Sequence, residues 1–180
     1  AMADNHDSYK RYANMRDVCV GQRHSVMALE EIAARRAKGD VSTFYVCCST
    51  LFPNAFTNSQ PYESELLCLY AIAHDYDGML RWAYNSWPAD PQVDSRYGNW
   101  MAGDTYLVYP YNRSSIRFER LIDGIEVTEK IRALRAAGVD MSGVDAVLEK
   151  IRNTEITDYN QPWKKIMKEA QAALNEAARK

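Results

Sequence analysis

Three short apolar runs alternate with two longer periodic segments in the first half of this chain, and that order leaves few folds open. Val18-Cys19-Val20-Gly21 is bounded by polar residues, and Met27 to Lys38 then sets Met27, Ile32 and Ala33 among charges before Gly39. This reads as a strand followed by an amphipathic helix with a glycine stop. Val41 to Ser49 is rich in β-branched and aromatic residues and too short for a typical helix, which predicts a buried strand. After a loop holding Pro53, Asn54, Asn58 and Pro61, the stretch Tyr62 to His74 places Leu66, Leu67, Tyr70 and Ala71 at helical spacing, with Glu63 and Glu65 in its first turn. Gly78 to Asn85 is the third strand-like run. Such alternation with short connections predicts an α/β fold with parallel strands and right-handed crossovers.

The rest of the chain changes character. Pro88 to Gly103 is dense in Pro, Asp, Asn and Gly and carries Tyr97 and Trp100; loops of this length with aromatics are usually functional or packed lids. Thr105 to Tyr111 reads as a short extended segment at a sheet edge, because Pro110 cannot donate to a ladder. Ser114-Ser115 then precede a periodic run through Ile116, Leu121, Ile125, Ile131 and Leu134 up to Gly138, a long helix with a serine N-cap. Ser142 to Arg152 and Trp163 to Arg179 are two further helices, the last alanine-rich and opened by Pro162.

With 180 residues, 47% of them hydrophobic, the chain has enough apolar material for one sizeable core. Its 22 Lys and Arg nearly balance 24 Asp and Glu, scattered along the sequence, so no field favours nucleic acid or an anionic membrane. No stretch approaches the roughly 18 uninterrupted apolar residues of a spanning helix. The opening Ala1-Met2-Ala3-Asp4 has no basic region leading into an apolar run and resembles a cloning scar on an internal segment, which leaves localisation open. Cys19, Cys47, Cys48 and Cys68 contain an adjacent pair but no C-x-x-C, a pattern that predicts buried free thiols rather than a zinc knuckle or redox site. His6, His24 and His74 are isolated, so no metal is expected. The absence of a phosphate loop, nucleophile elbow or Walker pattern leaves no cofactor expected either.

Three blocks carry more specific information. Tyr76 to Pro88 (Tyr-Asp-Gly-Met-Leu-Arg-Trp-Ala-Tyr-Asn-Ser-Trp-Pro) clusters large aromatics with an arginine and an asparagine at a strand end. Gly103-Asp104-Thr105-Tyr106-Leu107-Val108-Tyr109-Pro110 follows, and then Ser114 to Glu126 (Ser-Ser-Ile-Arg-Phe-Glu-Arg-Leu-Ile-Asp-Gly-Ile-Glu) opens the long helix. In this order and spacing the blocks resemble glycoside hydrolase family 123 and the related domain of unknown function 4091, with Val41 to Cys48 matching the preceding strand. The likeness runs from about Asp17 to Leu134. Val127 stands where the family often has Asp, and Tyr111 where it often has Gly.

The resemblance implies the C-terminal portion of a (β/α)₈ TIM-type barrel over residues 1–138, followed by a helical extension over 139–180. It implies a parent related to β-N-acetylgalactosaminidases, which hydrolyse by substrate-assisted retention. There the acetamide of the sugar attacks the anomeric carbon, an Asp orients it, and an adjacent Glu protonates the leaving oxygen. No Asp-Glu dipeptide occurs in this sequence, so no catalytic residue is assigned and the chain alone is expected to lack activity. The expected partners are a carbohydrate containing N-acetylhexosamine, and either a second copy or the missing barrel half.

The expected substrate-binding residues are Trp82, Tyr84, Asn85 and Trp87, at or past the C-terminal end of a parallel strand where barrels build their sites. Indoles suit the apolar face of a pyranose, and strand alternation lets Trp82 and Tyr84 point inward together. The alternative is that they are core. Asp104 either bonds a sugar hydroxyl or caps a turn. Tyr45 reads as core rather than ligand-contacting. Arg113, Arg117 and Arg120 with Glu119 and Asp123 are spaced for ion pairs along their own helix. A non-catalytic carbohydrate-binding or assembly module using the same aromatics is the competing reading.

Overall fold

The structure, a computed structural model, describes residues 2–3, 14–21, 27–156 and 161–179; His6 and His24 lie outside them. Four parallel strands pair in chain order: β1 (Met2–Ala3), β2 (Asp17–Gly21), β3 (Val41–Val46) and β4 (Gly78–Arg81). Helix α1 (Leu29–Ala37) connects β2 to β3, and α2 (Pro61–Ala73) connects β3 to β4. Helices α3 (Ile116–Ala136), α4 (Ser142–Arg152) and α5 (Trp163–Ala177) follow. The expected alternation of strand and helix is therefore present. β1 was not anticipated, and β3 ends three residues earlier than expected, at Val46.

The pairing register assigns the two faces of the sheet. Val20 pairs with Phe44 and Phe44 with Met79, while Gly21 pairs with Tyr45 and Tyr45 with Leu80. Partners in a parallel ladder share a face. Val18, Val20, Phe44 and Val46 are buried in the core under the helices, with the Phe44 ring 4.9 Å from that of Tyr70 on α2. On the opposite face Cys19 and Gly21 are buried, Tyr45 is half-buried and Leu80 is exposed.

Helix α2 is the hub. Its buried residues run continuously from Leu66 to Ala73, as in a helix that is apolar all round and enclosed by neighbours. It contacts β4, α3 and α4. Its start is fixed by Pro61 and by a capping box in which Glu63 Oε1 accepts from the Gln60 backbone at 2.6 Å. Helices α4 and α5 add Val144, Leu148, Ile151, Trp163, Ile166 and Leu174 to the same apolar cluster. As expected, Ser115 caps α3, accepting from Phe118 N at 3.2 Å, and Gly138 takes a left-handed φ of +73° just past its end. Among the described residues, no helix is long and apolar enough to cross a membrane.

Candidate functional site

The C-terminal ends of β3 and β4 lead into two long connections, residues 47–60 and 82–115, and the second carries a cluster of exposed aromatics. The stretch expected as the end of a strand, Trp82 to Asn85, leaves the parallel ladder at Arg81. It turns to pair antiparallel with the segment expected at a sheet edge. Asn85 bridges Tyr106, Leu107 N donates to Tyr84 O at 2.8 Å, and Ser86 N to Thr105 O at 3.0 Å. Thr105 to Tyr111 is thus a series of turns and isolated bridges rather than a strand. Its partner is the aromatic stretch, not the edge of the parallel sheet.

Trp82 is 38% exposed and Trp100, from the 88–103 loop, 45%. Their ring centroids are 5.2 Å apart with planes at 48°. Tyr84 is exposed and packs edge-on against Phe118 of α3 at 5.7 Å. Trp87 donates its indole N–H to Val108 O at 2.7 Å while keeping one edge in solvent. Asn85 is held through its backbone and its side chain is exposed. The predicted aromatics therefore divide, Trp82 joining Trp100 and Tyr84 joining Phe118, along one doubled segment of chain.

Asp104 was expected either to bond a sugar hydroxyl or to cap a turn. It is instead fully buried, its carboxylate Oδ1 3.2 Å from Arg81 Nη2. Burial pushes its carboxyl up from the usual carboxylate range, while Arg81 and the Trp82 side chain favour the ionised form. Burial likewise brings the Arg81 guanidinium down to about 10, against the pull of Asp104. Arg81 also donates to Asn54 Oδ1 at 2.9 Å and to the Asp104 carbonyl at 2.6 Å. Asn54 in turn holds the β3 exit, donating to Cys47 O and Thr50 O.

Arg117 corrects the expectation of ion pairs along α3. Arg120 does follow that rule, pairing with Asp123 at 2.8 Å, as does Arg132 with Glu129 further along the helix. Arg117 turns inward, donating from Nη1 to Ala55 O at 2.6 Å and Gly103 O at 2.8 Å, with its guanidinium over the Tyr106 ring. Arg81 and Arg117 thus tie both long connections to the frame through carbonyl oxygens.

The thiols also depart from expectation. Cys19 and Cys68 are buried, but Cys47 and Cys48, just past β3, are only half-buried. Burial, then Cys47 and Asp104, push the Cys48 thiol up, so neither chemistry nor exposure marks it as a nucleophile. Among the described residues, no group of three or more His, Cys, Asp or Glu is placed to hold a metal. This arrangement can present indole faces and one exposed amide to a ring-shaped polyol.

The family described as glycoside hydrolase 123, catalytic domain, matches residues 1–134. No curated protein matches the sequence. A solved structure described as "The details of glycolipid glycan hydrolysis by the structural analysis of a family 123 glycoside hydrolase from Clostridium perfringens" is similar, with a TM-score of 0.82 and 22% identity. The likeness covers 98% of this chain and 35% of that one, so the chain spans about a third of the length of the protein it matches.

Proposed function

The chain belongs to glycoside hydrolase family 123 through the match over residues 1–134, and from that premise we propose that it supplies the aromatic wall of a sugar site in a longer glycosidase. The observation that carries this reading is the cluster of exposed Trp82, Tyr84, Asn85 and Trp87 beyond the C-terminal end of β4. In this reading residues 1–138 are the last sector of a (β/α)₈ barrel and residues 139–180 a helical extension packed on it. The sequential parallel order of the strands, with Tyr45 and Leu80 on the face away from Phe44, fits a barrel interior.

Each residue has a distinct part. Trp82 stacks on the apolar face of a pyranose, and buried Asp104, paired with Arg81, fastens the 82–115 connection to the end of β4. Asp104 is then a positioning residue and not a hydroxyl ligand. Asn85 bonds a ring hydroxyl, and Tyr84 and Trp87 extend the wall. The substrate is a glycan ending in β-linked N-acetylgalactosamine. Hydrolysis proceeds with retention, assisted by the acetamide and by an Asp-Glu pair outside this sequence, which contains no such dipeptide.

An aryl β-N-acetylgalactosaminide assay tests this. The chain alone should give no turnover, and supplying the upstream segment should restore it. Turnover by the chain alone would sink the claim that the pair lies elsewhere, and none from the completed protein would sink the glycosidase reading. The outer edge of β4, unpaired among the described residues, should also make the isolated chain self-associate or bind the upstream segment. The second reading, a non-catalytic carbohydrate-binding or assembly module, draws on the single core that joins α2, α4 and α5; a stable monomer by sedimentation would favour it.

A further inference from the structure

Trp100 stands on a loop that is fastened down rather than slack. Gly103 N donates to Ser95 O at 2.8 Å, Thr57 N to Ala102 O at 2.9 Å, and Trp100 N to Tyr97 O at 3.2 Å. The Thr57 and Ser95 hydroxyls lie 3.1 Å apart, and Tyr106 donates its hydroxyl to Pro91 O at 3.3 Å. The Trp100 indole is therefore preset beside Trp82, and a side chain so held loses little freedom on binding.

The geometry of the pair limits what it can do. Gripping a ring between two indoles needs contact distance on both sides, about 7–8 Å between ring planes. The centroids are 5.2 Å apart, so no ring fits between them. Yet Trp82 and Trp100 are both exposed residues, at 38% and 45%. The two rings are adjoining facets of one bent surface. The N–H is the single polar group of each indole, so the surface that either facet offers a ligand is chiefly ring carbon.

We propose that Trp100 is a sugar-contacting residue with a facet of its own, so that this wall takes a glycan of at least two rings. The terminal ring lies on Trp82 and the next on Trp100. This rests on the sugar-wall reading and adds to it a second binding position and a preference for length. Neighbouring rings of a glycan are joined through one oxygen, so their apolar faces follow a bent surface better than a flat one.

Isotope-labelled tryptophan confined to the 180-residue chain, with the upstream segment supplied unlabelled to complete the barrel, gives four indole N–H resonances, of which Trp163, buried in the core, is an internal control. The chain is titrated with methyl β-N-acetylgalactosaminide and with a disaccharide ending in the same sugar. Trp82 should respond to both and Trp100 to the disaccharide, which should bind about fivefold tighter, the scale of one added aromatic contact. Trp100→Ala should abolish that gain, so that disaccharide and monosaccharide bind alike, and Trp100→Phe should keep part of it. If Trp82 responds and Trp100 does not, or if Trp100→Ala keeps the full gain, the second facet is overturned while the wall stands. If no sugar moves Trp82, the wall itself falls and the facet with it.

Discussion

Arg81 and Asp104 meet across 23 residues of sequence at 3.2 Å, with side chains 6% and 0% exposed. Removing one partner of such a pair strands the other charge away from water. Asp104→Asn should therefore cost about 3 kcal/mol, read from urea unfolding. Replacing both, Arg81→Met with Asp104→Leu, should cost less than the two single changes summed, because no stranded charge remains. A single-substitution loss below about 1 kcal/mol would show that the pair behaves as an exposed one.

His74 gives the fold a pH dependence of predictable sign. Its ring is buried at the end of α2 between Tyr70 and Tyr76, and burial, then the nearby Arg152, bring its pKa down to about 4 from 6.5. The unfolded chain then binds a proton that the folded chain refuses, so the stability this neutral ring provides is full above pH 6.5 and lost as pH falls toward 4. The full effect is up to about 3 kcal/mol. His74→Phe should flatten stability against pH across that window relative to the parent chain. Parallel curves for the two would show that His74 takes up its proton in the folded state.

The strand and helix order was legible because period and composition are local: β-branched runs for β2 and β3, helical spacing for α2 and α3. What lay outside that view was pairing between distant segments. Trp82 to Asn85 continues the apolar pattern of β4, yet it departs to pair with Tyr106 and Leu107, a partner chosen by the long loop between them. One signal was available. Strand alternation places Arg81 on the same face as Met79, the core face, and a charge there requires a buried partner. Asp104 follows Gly103 nearby in sequence. Arg117 was misassigned because helical spacing sees only neighbours on the same helix, whereas its partners are the carbonyls of Ala55 and Gly103. The aromatic residues of the wall were visible as a cluster, but the pairing of Trp82 with Trp100 was not, since contact across a loop leaves no periodic trace.

Gly124 sets how closely α3 lies on α2. A Cβ there would sit 2.9 Å from the Cys68 Cβ and Sγ and 3.0 Å from Glu65 Cα, and the last of these is backbone. Alanine would favour an isolated helix by about 1 kcal/mol, but overpacking at such contacts typically costs 1–3 kcal/mol. Gly124→Ala should therefore lower the unfolding midpoint. A rise would mean that the two helices separate freely to admit the methyl group.

Gly103 is the point where the loop bearing Trp100 rejoins the frame. Its φ is +75°, and a Cβ would fall 2.6 Å from Thr57 Cγ2, 2.7 Å from Arg117 Nη1 and 2.9 Å from Thr57 N. Left-handed backbone costs a non-glycine residue roughly 1–2 kcal/mol, and the contacts add to it. The Thr57 methyl can rotate away, but its backbone nitrogen is fixed by donation to Ala102 O. The strain is therefore relieved by movement of the 95–103 segment, which carries Trp100 away from Trp82. Gly103→Ala should lower stability by about 2 kcal/mol and also alter the near-ultraviolet circular dichroism of the coupled indoles. Loss of stability with an unchanged indole signal would show that the loop keeps its place and that Arg117 yields instead.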